Sequence, residues 1–148
     1  PLHFTETTLV SGPKDDSGWA TTAEGEERQA ELAAEFYTVL FSHPAVEAIT
    51  WWDFSDQSAW QQAPAGLIRA DMTPKPVYSR LSDLIKGKWW TQSTAETEAD
   101  GQVKTEAFLG DYEVVVQQDG RKLVGRFSLA KEAGGRVDLA LREAPGRQ

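Results

Sequence analysis

Glu6 is the one carboxylate in the opening stretch Leu2–Thr7, LHFTET, where it stands among apolar and hydroxyl residues. A carboxylate can serve as a nucleophile or as a general acid or base. In α/β folds such groups sit at the C-terminal ends of parallel strands. Taken singly, a strand-end Glu is more often solvated or salt-bridged, so Glu6 needs support from other parts of the chain.

That support comes from Trp51–Trp60, WWDFSDQSAW, in which Trp52 and Trp60 bracket Asp53 and Asp56. Indole faces stack on the apolar faces of pyranose rings, and carboxylates accept hydrogen bonds from sugar hydroxyls. Trp and Asp together on a loop therefore point to a sugar-binding cleft. Adjacent strand residues point to opposite faces, so of Trp51 and Trp52 one is expected in the core and the other toward the site. The alternative is that both indoles are core residues of a strand covered on both sides. A third stretch, Thr73–Leu81, has two prolines that preset a helix start, and its expected role is docking of that helix.

Other chemistries have little support in the 148 residues. The formal charge of -8 argues against a nucleic-acid partner, which needs a basic patch. The chain has no Cys, and its two His, His3 and His43, lack metal-ligand spacing, so no metal and no cofactor are expected. No apolar run approaches the roughly 20 residues of a membrane span, so no membrane partner is expected. The chain begins at Pro1, directly before a strand, and reads as a piece of something longer.

The elements that must position these residues follow from periodicity. Leu2–Thr7 reads as a strand and Ser11–Trp19 as a surface loop. Thr21 and Glu24 have capping-box spacing ahead of a helix of about five turns, with Leu32, Phe36 and Leu40 flanked by Ala33, Tyr37 and Phe41 on its apolar stripe. Pro44 ends that helix near His43. Val46, Ala48, Ile49, Thr50, Trp51 and Trp52 form a nearly continuous apolar and β-branched run, as in a strand covered on both faces. A second helix starts at Pro76 and presents Val77, Tyr78, Leu81, Leu84 and Ile85. Residues 1–90 thus read strand, helix, strand, helix. From Thr91 the composition turns polar, and strand-like runs follow at Val103–Leu109, Tyr112–Val116, Lys122–Leu129 and Val137–Leu141, with a hairpin signal at Asp119–Gly120. The expected fold class is α/β followed by a small antiparallel β-domain over 91–148.

Taken in order, HFTET, ITWWDFSDQSAW and GLIRADMTPKPVYSRL resemble the C-terminal quarter of glycoside hydrolase family 10, the (β/α)8-barrel endo-β-1,4-xylanases. The resemblance covers about residues 1–88. It implies that Leu2–Thr7 and Ala48–Phe54 are barrel strands seven and eight, and that the two helices are the seventh and eighth, so that 1–90 is the last two βα units of a TIM barrel. It further implies that Glu6 is the nucleophile of retaining hydrolysis, with Trp52, Trp60, Asp53 and Asp56 around the sugar subsites. The expected partners are xylan or a xylo-oligosaccharide and the N-terminal remainder of the barrel, and the expected location is extracellular or periplasmic. The family's acid/base comes from strand four, which has no counterpart in these residues, so the 148-residue chain alone is expected to be inactive. Two positions depart from the family pattern. Thr8 stands where many members have an acidic residue, and Asp53 stands where Gly is common. The region after Thr97 resembles small sandwich modules of secreted enzymes and is expected to be a stabilising or spacer domain. A carbohydrate-binding or structural fragment without catalysis is the alternative function.

Overall fold

The computed structural model describes residues 1–131 and 134–144. The chain divides into two compact units, Pro1–Trp90 and Thr91–Gln148.

In the first unit, β1 (Leu2–Thr7) is followed by a two-strand hairpin of β2 (Lys14–Asp15) and β3 (Gly18–Trp19), then α1 (Ala23–Ser42), β4 (Val46–Trp51) and α2 (Pro76–Asp83). A π-helical turn, Leu84–Lys88, extends α2. β1 and β4 pair in parallel, the arrangement that a βαβ connection through a helix produces. Helix α1 is capped by Thr22, whose side chain accepts from the Gly25 N–H, so the cap lies one residue after the Thr21 expected from spacing. The helix stops at His43, ahead of Pro44, as expected.

The buried face of α1 is Glu26, Gln29, Ala30, Ala33 and Tyr37, whereas Leu32 and Phe41 are exposed. The expected stripe is therefore rotated toward its alanines, because α1 packs closely on α2, where small side chains admit the neighbouring helix. Ala30, Ala33 and Tyr37 meet Val77, Leu81 and Leu84, and Ile49, Trp51, Phe36 and Leu9 pack around them. Tyr78 and Ile85, expected on the apolar face of the second helix, are exposed instead. The phenyl ring of Phe41 stacks on Trp89 with centroids 4.2 Å apart. β4 has no fully buried residue. Among the described residues the helices cover one face of the β1–β4 pair, not the two that the continuous apolar run suggests.

The second unit is built on the hairpin of β5 (Gly110–Gln118) and β6 (Arg121–Leu129), joined through Asp119 (φ 49°) and Gly120 (φ 76°). Asp-Gly suits this two-residue turn, whose central positions both need positive φ. β7 (Arg142–Glu143) pairs antiparallel with β6. Two expected strands are not formed. Residues 103–109 make no ladder, and Phe108 is held instead by its N–H to Thr91 Oγ1 and its carbonyl to the Tyr112 hydroxyl. Residues 137–141 run beside β6 without joining it, and Leu141 lies over Gly125, close to where a Cβ would stand. The described residues of this unit form one three-stranded antiparallel sheet, and the second layer of a sandwich is not among them.

Candidate functional site

The C-terminal end of the β1–β4 pair is shaped by an extra residue in β1. Phe4 pairs with Ile49 and Thr7 with Trp51, so three steps along β1 match two along β4. This is a bulge, the device that re-aims a side chain within a strand. Ile49 and Trp51 both pack against the helical core, and their partners follow them. The Phe4 ring meets Phe36 of α1 edge-on at 6.1 Å, and the Thr7 side chain reaches the Tyr37 hydroxyl. Burial pushes the Tyr37 phenol above its ordinary range, against the opposing effect of that hydrogen bond. Since neighbours on a strand alternate, Glu6 points away from α1, and it is exposed.

Trp51 and Trp52 divide as adjacent strand residues should. Trp51 tilts against Tyr37 at 6.3 Å, and its Nε1–H donates to the Ala65 carbonyl at 3.0 Å. Trp52 lies on the other face with 53% of its surface exposed, and its N–H donates to the Thr7 carbonyl at 2.9 Å. Glu6 and Trp52 therefore share one face and one end of the parallel pair.

The loop after β4 carries the remaining expected site residues. Trp60 is 67% exposed. Asp53 is buried, and its Oδ1 accepts the Trp60 N–H at 3.1 Å. Asp56 accepts from Lys75 Nζ at 2.9 Å on Oδ1 and 2.7 Å on Oδ2, and from the Gly66 N–H at 2.7 Å. The Lys75 side chain has no exposed surface and also donates to the Pro64 carbonyl at 3.2 Å. Gly66 is required here, since a Cβ would stand 2.6 Å from the Asp56 nitrogen. The geometry thus gives Asp53 and Asp56 a bracing task that their place between two tryptophans did not reveal. Both hold the loop that presents Trp60.

Sequence reasoning did not single out Lys75, Arg69 or Trp19. Arg69 donates its Nε–H to buried Glu26 of α1 at 2.9 Å and one Nη–H to the Pro74 carbonyl at 2.9 Å. That pairing raises the guanidinium pKa further above its ordinary value. The side-chain and backbone hydrogen bonds of Thr73 hold Asp71 below the usual carboxylate range. Trp19, at the end of the hairpin after β1, donates its Nε1–H to the Gln61 carbonyl at 3.0 Å. Lys75 stands between two prolines at the N-cap of α2, and its burial follows from its pairing with Asp56 across the loop. Among the described residues no group of three His, Cys, Asp or Glu is placed to hold a metal ion, and no helix is long and apolar enough to cross a membrane.

Comparison with known proteins places a stretch of the chain in a family. The model for glycosyl hydrolase family 10 matches residues 3–84. A curated relative, the anti-sigma-I factor RsgI6 of Acetivibrio thermocellus, is 28% identical over 96 residues, which are 65% of this chain and 12% of that protein. Two solved structures align with 58% of this chain and 27% of their own. They are xylanase 10B of Thermotoga petrophila RKU-1 in complex with xylobiose (24% identity, TM-score 0.46) and native xylanase 10B of Thermotoga maritima (22% identity, TM-score 0.44). The chain therefore spans about an eighth of the curated relative and about a quarter of each xylanase. With more than half of its residues inside the family match, the chain belongs to glycosyl hydrolase family 10 and carries an α/β barrel-type part of that family's domain.

Proposed function

We propose that this chain is the nucleophile-bearing part of a retaining glycoside hydrolase that cleaves β-1,4-xylan or a related plant polysaccharide. In this reading β1–α1 and β4–α2 are the last two βα units of a (β/α)8 barrel, residues 1–90 are its C-terminal portion, and residues 91–148 are an accessory or stabilising domain. The observation that carries the reading is the shared face and end of Glu6 and Trp52. A carboxylate beside an exposed indole at the C-terminal end of parallel strands suits attack on a bound sugar.

Glu6 attacks the anomeric carbon, the glycosidic C–O bond breaks, and the leaving oxygen takes a proton from an acid about 5 to 5.5 Å away. That acid then accepts a proton from water, whose oxygen displaces Glu6 and releases the sugar. Asp53 and Asp56 are engaged by Trp60, Gly66 and Lys75, which supports an acid supplied by the remainder of the barrel. Trp52 and Trp60 stack on the sugar rings, while Asp53 and Asp56 act by fixing the Trp60 loop. A polysaccharide substrate is met outside the cytoplasm, so the expected location is extracellular or periplasmic.

The test uses the complete protein and a 2-fluoro-xylosyl donor, which forms the glycosyl-enzyme and hydrolyses slowly. Peptide mass analysis is expected to find the sugar on Glu6, and labelling elsewhere or none would overturn the assignment.

A second reading is a carbohydrate-binding module that has lost catalysis. Thr8, standing where many family members have an acidic residue, favours it, and so does the likeness to a protein named as an anti-sigma factor rather than a hydrolase. Saturable xylo-oligosaccharide binding with no turnover by the complete protein would select this reading.

A further inference from the structure

We propose that Trp19 is a positioning residue for the sugar-stacking indole of Trp60, acting through the backbone of Gln61; the inference rests on the reading of Trp60 given above. Gln61 and Gln62 follow Trp60 with φ of 56° and 57°. Two successive non-glycine residues in the left-handed region carry a conformational cost, and such a turn persists only where its surroundings hold it.

Hydrogen bonds from inside and outside the loop hold it, and the Ala63 N–H closes the turn on the Trp60 carbonyl at 3.1 Å. The Gln62 N–H donates to the Ala59 carbonyl at 2.9 Å from within the loop. The Nε1–H of Trp19 donates to the Gln61 carbonyl at 3.0 Å from outside it. Trp19 reaches the turn from the loop after β1, the strand that carries Glu6.

The hairpin that delivers Trp19 is itself fixed. Lys14 pairs with Trp19 in the β2–β3 ladder and sets its ammonium 5.7 Å from the indole centroid. The Ala20 N–H donates to the Pro13 carbonyl at 3.0 Å. A Cβ on Gly12 would fall 1.9 Å from the Ala20 carbonyl oxygen, so the hairpin closes only over glycine. Asp15 caps the turn through the Ser17 N–H and hydroxyl. A second tie runs from Ser11, whose N–H and hydroxyl both donate to the Pro64 carbonyl. The loop after β1 thus grips the Trp60 loop at two carbonyls, Gln61 and Pro64, and the Gln61 grip lies next to the exposed indole. Trp19 spends its one polar hydrogen on the backbone next to Trp60, which gives it a route to a sugar through the placement of that indole.

The experiment compares Trp19→Phe, which keeps an aromatic ring and removes the N–H, with Gln61→Gly, which removes the cost of positive φ, and with the double variant, all in the complete protein. One neutral hydrogen bond corresponds to roughly a threefold to tenfold change in an equilibrium. Trp19→Phe is expected to raise KM for xylo-oligosaccharides by that factor with kcat within twofold. It is also expected to shift or broaden the Trp60 resonance in fluorine NMR of 5-fluorotryptophan-labelled protein, while the Trp51 resonance stays in place. Gln61→Gly in the Trp19→Phe background is expected to recover at least half of the lost affinity. An unchanged Trp60 resonance together with unchanged KM would overturn the proposal. So would a loss that follows a lowered melting temperature and is not recovered by Gln61→Gly. If the wild-type protein binds no xylo-oligosaccharide, the reading of the site fails, and the Trp60 resonance still decides the Trp19 proposal.

Discussion

Phe4 and Thr7 lie on the same face of β1 although three positions separate them, and both meet α1, through Phe36 and Tyr37. The extra residue between them turns Glu6 out of the helical interface and onto the face that Trp52 occupies. Without that bulge, strict alternation would send the Glu6 carboxylate toward α1, in line with Phe4, where burial of a carboxylate is costly.

Glu6→Gln keeps the shape of the side chain and removes its ability to form the ester. In the complete protein, turnover is expected to fall by at least a thousandfold while oligosaccharide affinity changes by less than about threefold. Steady-state kinetics and calorimetric titration measure the two, and turnover that survives the change rules Glu6 out as the nucleophile.

Trp60→Ala removes an indole that is largely exposed. The expected result is weaker oligosaccharide binding by about 1 to 3 kcal/mol with little change in melting temperature, because 67% of the residue is already in solvent. Trp51→Ala should behave the opposite way. That indole packs against Tyr37 and bonds to Ala65, so its loss is expected to destabilise the first unit by about 3 to 5 kcal/mol in denaturant unfolding.

Lys75 and Asp56 form an ion pair in which the lysine side chain is wholly buried. Removing either partner leaves a charge without its counterion, so Lys75→Met or Asp56→Asn is expected to cost about 3 to 5 kcal/mol. The double variant is expected to cost less than the sum of the two, and a double-mutant cycle by urea unfolding measures the difference. Strict additivity would show that the two side chains act independently.

Asp71 and Asp15 supply the acid-sensitive turns of the first unit. Thr73 holds Asp71, and Ser17 holds Asp15, below the ordinary carboxylate value of 3.8. A folded-state pKa depressed in this way contributes stability that is present above the unfolded value and lost as pH falls through the folded one. The amide resonances of Thr73 and Ser17 are therefore expected to titrate with midpoints below 3.8. Midpoints at or above that value would contradict the turn geometry.

Much of the framework was legible in the order of the residues. Hydrophobic period, the Pro44 stop and the Pro76 start give strand, helix, strand and helix at nearly their observed limits, because these signals act within a few residues of one another. The Asp119–Gly120 hairpin is local in the same sense. Residues 103–109 and 137–141 are apolar enough to suggest strands, yet a strand exists only where a partner completes its ladder, and sequence does not report the partner. The buried side of α1 keeps Ala33 and Tyr37 of the expected stripe and leaves Leu32 and Phe41 exposed, for a related reason. Its alanines are chosen by the approach of α2, a tertiary contact, over the larger Leu32 and Phe41.

The site shows the same division. Residue types marked Glu6, Trp52, Trp60, Asp53 and Asp56 as candidates, and the resemblance to family 10 supplied the role expected of each. Only the folded chain decided what each one faces. The bulge sets the direction of Glu6, a buried lysine from the start of α2 claims Asp56, the Trp60 backbone claims Asp53, and Trp19 crosses from another loop to hold Gln61. Side-chain direction and charge pairing depend on groups far apart along the chain, so they become determinate when packing brings those groups together.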